Sequence, residues 1–233
     1  MILLSRVLIL AILQCSFSSW PLPAHASRLR CADVPIAFES DASQDMACIC
    51  ETARATIAFL KKLGLETTEV ITIKLVDDFP SQPMQSLIGS YNPASREVSL
   101  RAYAAVEKLS RSQESTLRIE INEDLWCSYA AHELAHAISS QYLDPEINDH
   151  TAGEYISAVT QLAVLTPESR QQMLQAYQDI EAYQSMHEIS ILYFLFAPNA
   201  FAVKCYLHFI SLDQPKAFID RLVREDNGFG RGY

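Results

Sequence analysis

His132 and His136 are four residues apart, and Glu133 directly follows the first of them. On an α-helix that spacing puts both imidazoles on one face, one turn apart, where they can reach a common ion. Zinc takes imidazole nitrogens at about 2.0–2.1 Å in a tetrahedral arrangement, so one helix can supply two of its corners. Glu133 is rotated about 100° around the axis from His132. It is thereby placed to take a proton from a water on the metal without being a ligand itself, the logic of the H-E-x-x-H pattern. The flanking residues Ala130, Ala131, Leu134, Ala135, Ala137 and Ile138 describe a buried helix rather than a solvated one. Such a helix has little reason to carry three ionisable groups unless something pairs them.

A catalytic zinc needs a third protein ligand and an open fourth position. Glu154 is the choice here. It lies on the next helical segment, after an Asp144-Pro145 loop that can reverse the chain, so an antiparallel second helix can aim its carboxylate at the same ion. A competing role is local: Thr151-Ala152-Gly153-Glu154 matches a capping box, in which Glu154 would only bond the start of its own helix. His150, Asp144 and Asp149 are weaker ligand candidates, being in the loop.

These residues need a scaffold, and the chain reads as one of α+β class. Residues 44–63 form a helical pattern that stops at Gly64, and Val70 to Val76 alternates as a strand. Leu87 to Tyr91 and Glu97 to Arg101 flank Asn92-Pro93-Ala94-Ser95 as a hairpin. Thr116 to Ile121 alternates as a further short strand, or is the following helix already starting. Asn122 is the expected N-cap of the metal-site helix, with Glu123 and Asp124 in its first turn and its end near Tyr142. A second helix starts near Thr151 and ends before Thr166-Pro167. Glu168 to Tyr183 and Ile189 to Ile210, interrupted near Pro198, read as more helices. Strands early and helices late give a small sheet with a mainly helical C-terminal part.

Composition narrows the setting. The chain has 233 residues, 49% hydrophobic and 20% charged, values of a globular protein. Residues 1–26 read as a signal peptide, with Arg6, a short apolar run from Val7 to Leu13 and an Ala24-His25-Ala26 cleavage site. Residues 27–233 are then one exported domain, periplasmic or extracellular. No segment is long and apolar enough for stable membrane insertion. The formal charge of −10 argues against nucleic acid as a partner, since that is held mainly by Lys and Arg. Five cysteines follow the cleavage site, an odd number in a compartment where disulfides form. The expected bridges join Cys31 to Cys48 or Cys50, and Cys127 to Cys205.

His132-Glu133-Leu134-Ala135-His136, followed by Glu154-Tyr155-Ile156-Ser157-Ala158, resembles the gluzincin group of zincin-like metallopeptidases, close to exported bacterial zincin-like families of uncharacterised function. The hairpin from Gly89-Ser90-Tyr91 to Val98-Ser99-Leu100 is similar to the edge-strand region of small zincins, which pairs with extended substrate. The resemblance covers roughly residues 70–165. The longer metzincin pattern is absent, because position 139 is Ser and position 142 is Tyr. The resemblance implies a zincin-like fold, a Zn2+ cofactor held by His132, His136 and Glu154, and a peptide or protein substrate. It also implies Glu133 as general base and acid, with the zinc-bound water attacking the peptide carbonyl. Relatives add a Tyr or His that stabilises the oxyanion; Tyr193, Tyr206, His187 and His208 are the candidates, and none is singled out. Two other readings stay open. One is a non-catalytic binding protein on a zincin scaffold with a structural or vestigial zinc site. The other is a structural zinc closed by a fourth protein ligand such as His150.

Overall fold

Alternation in the first half and helical periodicity in the second become a four-stranded sheet and a set of packed helices. The computed structural model describes residues 29–39, 43–79, 88–111, 118–143 and 150–224. The proposed signal segment 1–26 therefore lies outside the described residues.

The strands are β1 (Ile36–Phe38), β2 (Ile71–Val76), β3 (Gly89–Asn92) and β4 (Glu97–Arg101). They lie in the order β1-β2-β4-β3. β1 runs parallel to β2 and β2 parallel to β4, while β3 is antiparallel to β4 and occupies the edge. In β2 the two-residue period works as read: Ile71 and Ile73 are buried, and Lys74 between them and Leu75 is exposed. The β3–β4 turn is held by the Asn92 carboxamide, which accepts the Ala94 N–H at 2.9 Å.

Helix α1 (Ser43–Lys62) precedes β2. It ends as its glycine foretells: Gly64 adopts φ 86°, Gly64 N–H bonds Lys61 O, and Leu65 N–H bonds Leu60 O. That is a Schellman closure, which a side chain at the left-handed position would strain. Helix α2 (Tyr103–Ser110) follows β4, and then come α3 (Glu123–Ser139) and α4 (His150–Val164). The remaining helices are α5 (Pro167–Ala176), α6 (Ile191–Phe196), α7 (Pro198–Ser211) and α8 (Pro215–Arg224), with a 3₁₀ turn at Met186–Glu188. Buried side chains from β1 to α8 form one connected core.

The sequence reading departs from this in four places. Residues 118–121 are irregular, neither a strand nor a helix already begun, since Asn122 caps α3 only after them; Ile121 turns into the core instead of pairing with a neighbour. The segment read as Glu168 to Tyr183 is helical only to Ala176. β1 and α2 are too short to carry a clear period; α8 does carry one, with Phe218, Ile219, Leu222 and Val223 on its buried face, and is an addition to the elements read from the sequence. The cysteine pairing differs as well. Cys31–Cys50 forms, but Cys127 bonds Cys48, and Cys205 is free and buried. The reason is packing: α1 lies against α3, which brings Cys48 to Cys127, whereas α7, which bears Cys205, packs on α4. Two disulfides fit a protein that matures in an oxidising compartment. No helix among the described residues is long and apolar enough to cross a membrane.

Candidate metal centre

The position of α3 is set at its start. Asn122 caps it, its side-chain oxygen accepting the Leu125 N–H at 2.7 Å, and Glu123 and Asp124 occupy the first turn. Asp124 in turn accepts the Thr166 hydroxyl at 2.6 Å, tying the N-terminus of α3 to the N-cap of α5. Trp126 is fully buried and donates its indole N–H to Arg101 O at 2.8 Å, fastening α3 to β4. Almost every residue from Leu125 to Ser139 is buried, as the apolar flanks of the histidines required.

His132 and His136 sit one turn apart on this helix, rings at 72° and Nε2 atoms 3.2 Å apart. Glu154 reaches them from α4. Its Oε2 lies 3.2 Å from His132 Nε2 and 3.4 Å from His136 Nε2. The ligand-type atoms of the three residues are all within 4.8 Å of one another, a cluster that could hold a metal ion. Contacts along the helix pair run in opposite senses, Gly153 against His136 and Gln161 against both His132 and Ser128, so α3 and α4 are antiparallel. Thr151 is already inside α4, and the Glu154 carboxylate is spent on the histidines, so the capping box does not form. His150 begins α4 and is exposed, outside the cluster. Asp144 and Asp149 lie outside the described residues.

Proton accounting shows why a cation fits. His132 Nδ1 lies 3.2 Å from Gln161 Oε1, which can only accept, so this nitrogen carries a hydrogen and Nε2 is the ring atom turned toward the other two residues. That nitrogen faces another imidazole nitrogen and a carboxylate oxygen. Glu154 Oε2 is itself buried without an aligned hydrogen-bond donor. Two imidazole nitrogens and a carboxylate oxygen crowded in a buried pocket need a shared proton or a metal ion between them. Burial opposes ionisation of Glu154, but the adjacent His136 and His132 outweigh it and hold the carboxyl well below the usual range.

Glu133 lies beside this group on α3 and is buried. Burial is the main cause of its pKa being pushed up to about 7; Glu154 adds to the rise, while His132 and the Tyr91 N–H oppose it. The carboxyl rests against the edge strand. A Cβ on Gly89 would come within 2.7 Å of Glu133 Cγ and 2.8 Å of Oε1, so only glycine leaves room for this carboxyl at the start of β3. A protonation change near neutral pH suits a group that exchanges protons during a reaction.

Four residues around the centre were not singled out in the sequence. They are Gly89, Gln161, Ser128 and Phe194, whose ring stacks on His132 at 10° with centroids 6.4 Å apart. Gln161 had a readable signal, being two helical turns from Glu154 and therefore on the same face of α4. Gly89 and Phe194 had none, because each comes from a separate element. Three of the late-helix candidates for oxyanion stabilisation have contacts of their own: Tyr193 packs on Phe201, Tyr206 lies under the Arg170 guanidinium and His208 bonds Tyr155 Oη at 2.7 Å, while His187 is exposed in the 3₁₀ turn.

Fold and cluster together define a class: an α+β protein with a small mixed sheet and a His-His-Glu cluster, suited to a metal ion, between two antiparallel helices. The chain belongs to the Family of unknown function (DUF6639), whose model matches residues 36–231. Neither curated proteins nor solved structures gave a match to it.

Proposed function

We propose that this chain is an exported zinc-dependent peptidase of zincin-like design. The observation that carries the reading is the convergence of His132, His136 and Glu154 on one point, with the buried Glu133 beside them. Two imidazoles and one carboxylate are a ligand set that suits zinc and leaves a position open. When bound there, zinc would supply Lewis acidity, acidifying water and polarising a carbonyl. Glu133 would take the proton from the attacking water and pass it to the leaving amine, a role for which a pKa near neutrality is suited. The edge position of β3, next to Glu133, supports an extended peptide as substrate, since an unpaired strand edge offers backbone groups to a partner strand. The two disulfides support export.

The test measures metal content and cleavage of a diverse peptide library on the same preparation, for the wild type and Glu133→Gln. The expected result is bound zinc in both proteins, with cleavage reduced by about 10²–10⁴-fold in the variant. Equal cleavage by the two would sink the mechanism. A second reading, a zinc-binding module without catalysis, is favoured by one observation: an aromatic ring without a hydroxyl, Phe194, covers His132, while the Tyr and His candidates pack elsewhere. Zinc uptake by the wild type with no cleavage would select it.

A further inference from the structure

Helix α3 places Ser128, His132 and His136 at successive intervals of four, and α4 places Glu154 and Gln161 seven apart. Each set lies along one helix face, so the two rows interleave where the antiparallel helices meet. Gln161 is buried on α4, and a buried carboxamide is tolerated only when both its ends are bonded. Both are. Its oxygen lies 3.2 Å from His132 Nδ1, and its Nε2 donates to Ser128 Oγ at 3.3 Å.

The direction of the amide follows from the far end of the chain. Ser128 Oγ spends its only hydrogen on Leu125 O at 2.6 Å. Its oxygen can then only accept, so the side of Gln161 that faces it must be the NH₂ group. The carbonyl side faces His132, and Nδ1 must carry the ring hydrogen. We propose that Gln161, oriented by Ser128, is a positioning residue that holds His132 in the Nδ1–H tautomer and so keeps its Nε2 lone pair aimed at the metal position. This rests on the metal reading above. A partner behind a ligating imidazole fixes ring angle and tautomer and raises the basicity of the ligating nitrogen. A neutral amide does so without adding a further carboxylate beside Glu154 and Glu133.

The experiment compares the full chain with Gln161→Met, Gln161→Glu and Ser128→Ala. Zinc affinity is read by competition with a chromophoric chelator, and the melting temperature is read in excess chelator. Long-range ¹H–¹⁵N spectra give the ring tautomers of the zinc-loaded wild type. Gln161→Met is expected to bind zinc roughly 10–100-fold more weakly, whereas Gln161→Glu, which keeps an acceptor facing Nδ1–H, stays within about threefold of wild type. Ser128→Ala falls between them. The spectra should show His132 protonated at Nδ1. A residue that only fills space would shift the melting temperature and leave affinity unchanged in Gln161→Met, and that outcome overturns the proposal, as does metal on Nδ1 of His132. If Gln161→Met fails to fold, the wild-type tautomer and the Ser128→Ala affinity decide. A wild type that takes up no zinc ends this proposal and the metal reading together. Zinc uptake without peptide cleavage ends only the hydrolytic reading, and the affinities still decide the role of Gln161.

Discussion

Helix α4 has two buried polar neighbourhoods, and they differ in kind. Toward α3 it offers Glu154 and Gln161 to the two histidines. Toward α7 it offers Tyr155, whose hydroxyl meets His208 Nδ1 at 2.7 Å beside the free Cys205. On the second side the protons balance. Burial raises the Tyr155 pKa and lowers that of His208, with Glu188 opposing the latter. A protonated phenol therefore faces a neutral ring, one donor to one acceptor. Burial also holds the Cys205 thiol protonated. On the first side two imidazole nitrogens and a carboxylate oxygen share one space, and Glu154 Oε2 has no aligned donor. Burial of titratable groups does not by itself mark a site; the convergence of three ligand-type atoms on one point does.

The largest effect should come from removing a member of the unbalanced side. Glu154→Ala is expected to take the protein from about one equivalent of zinc to none after dialysis, measured by elemental analysis, because two imidazoles alone make an incomplete site. His208→Gln should leave zinc content unchanged. If both variants, or neither, lose the metal, the contrast between the two sides of α4 collapses.

Gly89→Ala sharpens the contrast from the strand side. Its new Cβ would fall 2.7 Å from Glu133 Cγ, so the carboxyl must move. Peptide hydrolysis should drop by about 10²-fold through misplacement of Glu133, while zinc stays bound. Wild-type rates in this variant would separate Glu133 from the chemistry.

Stability against pH tests the electrostatics. Burial lifts Glu133 from 4.5 to about 7 in the folded chain. Between those values the native state retains a proton that the unfolded chain has given up, so stability falls as pH rises through that window and is level above it. Without metal, Glu133→Gln should be more stable than wild type by about 2–3 kcal/mol at pH 8, the gain shrinking to nothing near pH 4. Denaturant melts in chelator across that range would show it; a gain independent of pH would mean that Glu133 does not titrate as argued.

The smallest effect belongs to the balanced side. Tyr155→Phe leaves His208 Nδ1 buried without its donor and should cost about 1–3 kcal/mol, with zinc affinity untouched. A change in affinity there would mean that the two neighbourhoods communicate through α4.

Much of the centre was legible because its key relations are local. The i, i+4 spacing of His132 and His136, the cap at Asn122 and the stop at Gly64 depend on neighbours within a turn or two of one segment. The β3–β4 hairpin was readable for the same reason. Choices between elements were not. Thr151 and Glu154 fit a capping box as well as a ligand role, and only the angle at which α4 meets α3 sent the carboxylate to the imidazoles. Cys127 was expected to meet Cys205 and meets Cys48, because helix adjacency rather than cysteine spacing decides which sulfurs come together.

By itself the sequence determined that one buried helix would carry two imidazoles and a carboxyl on adjacent faces, because helical periodicity is a property of a single segment. Tertiary structure decided that Glu154 faces that helix, that Gln161 stands behind His132, and that Gly89 makes room for Glu133. Those outcomes depend on how separate elements are rotated against one another as they bury their apolar faces, and no local pattern records that rotation.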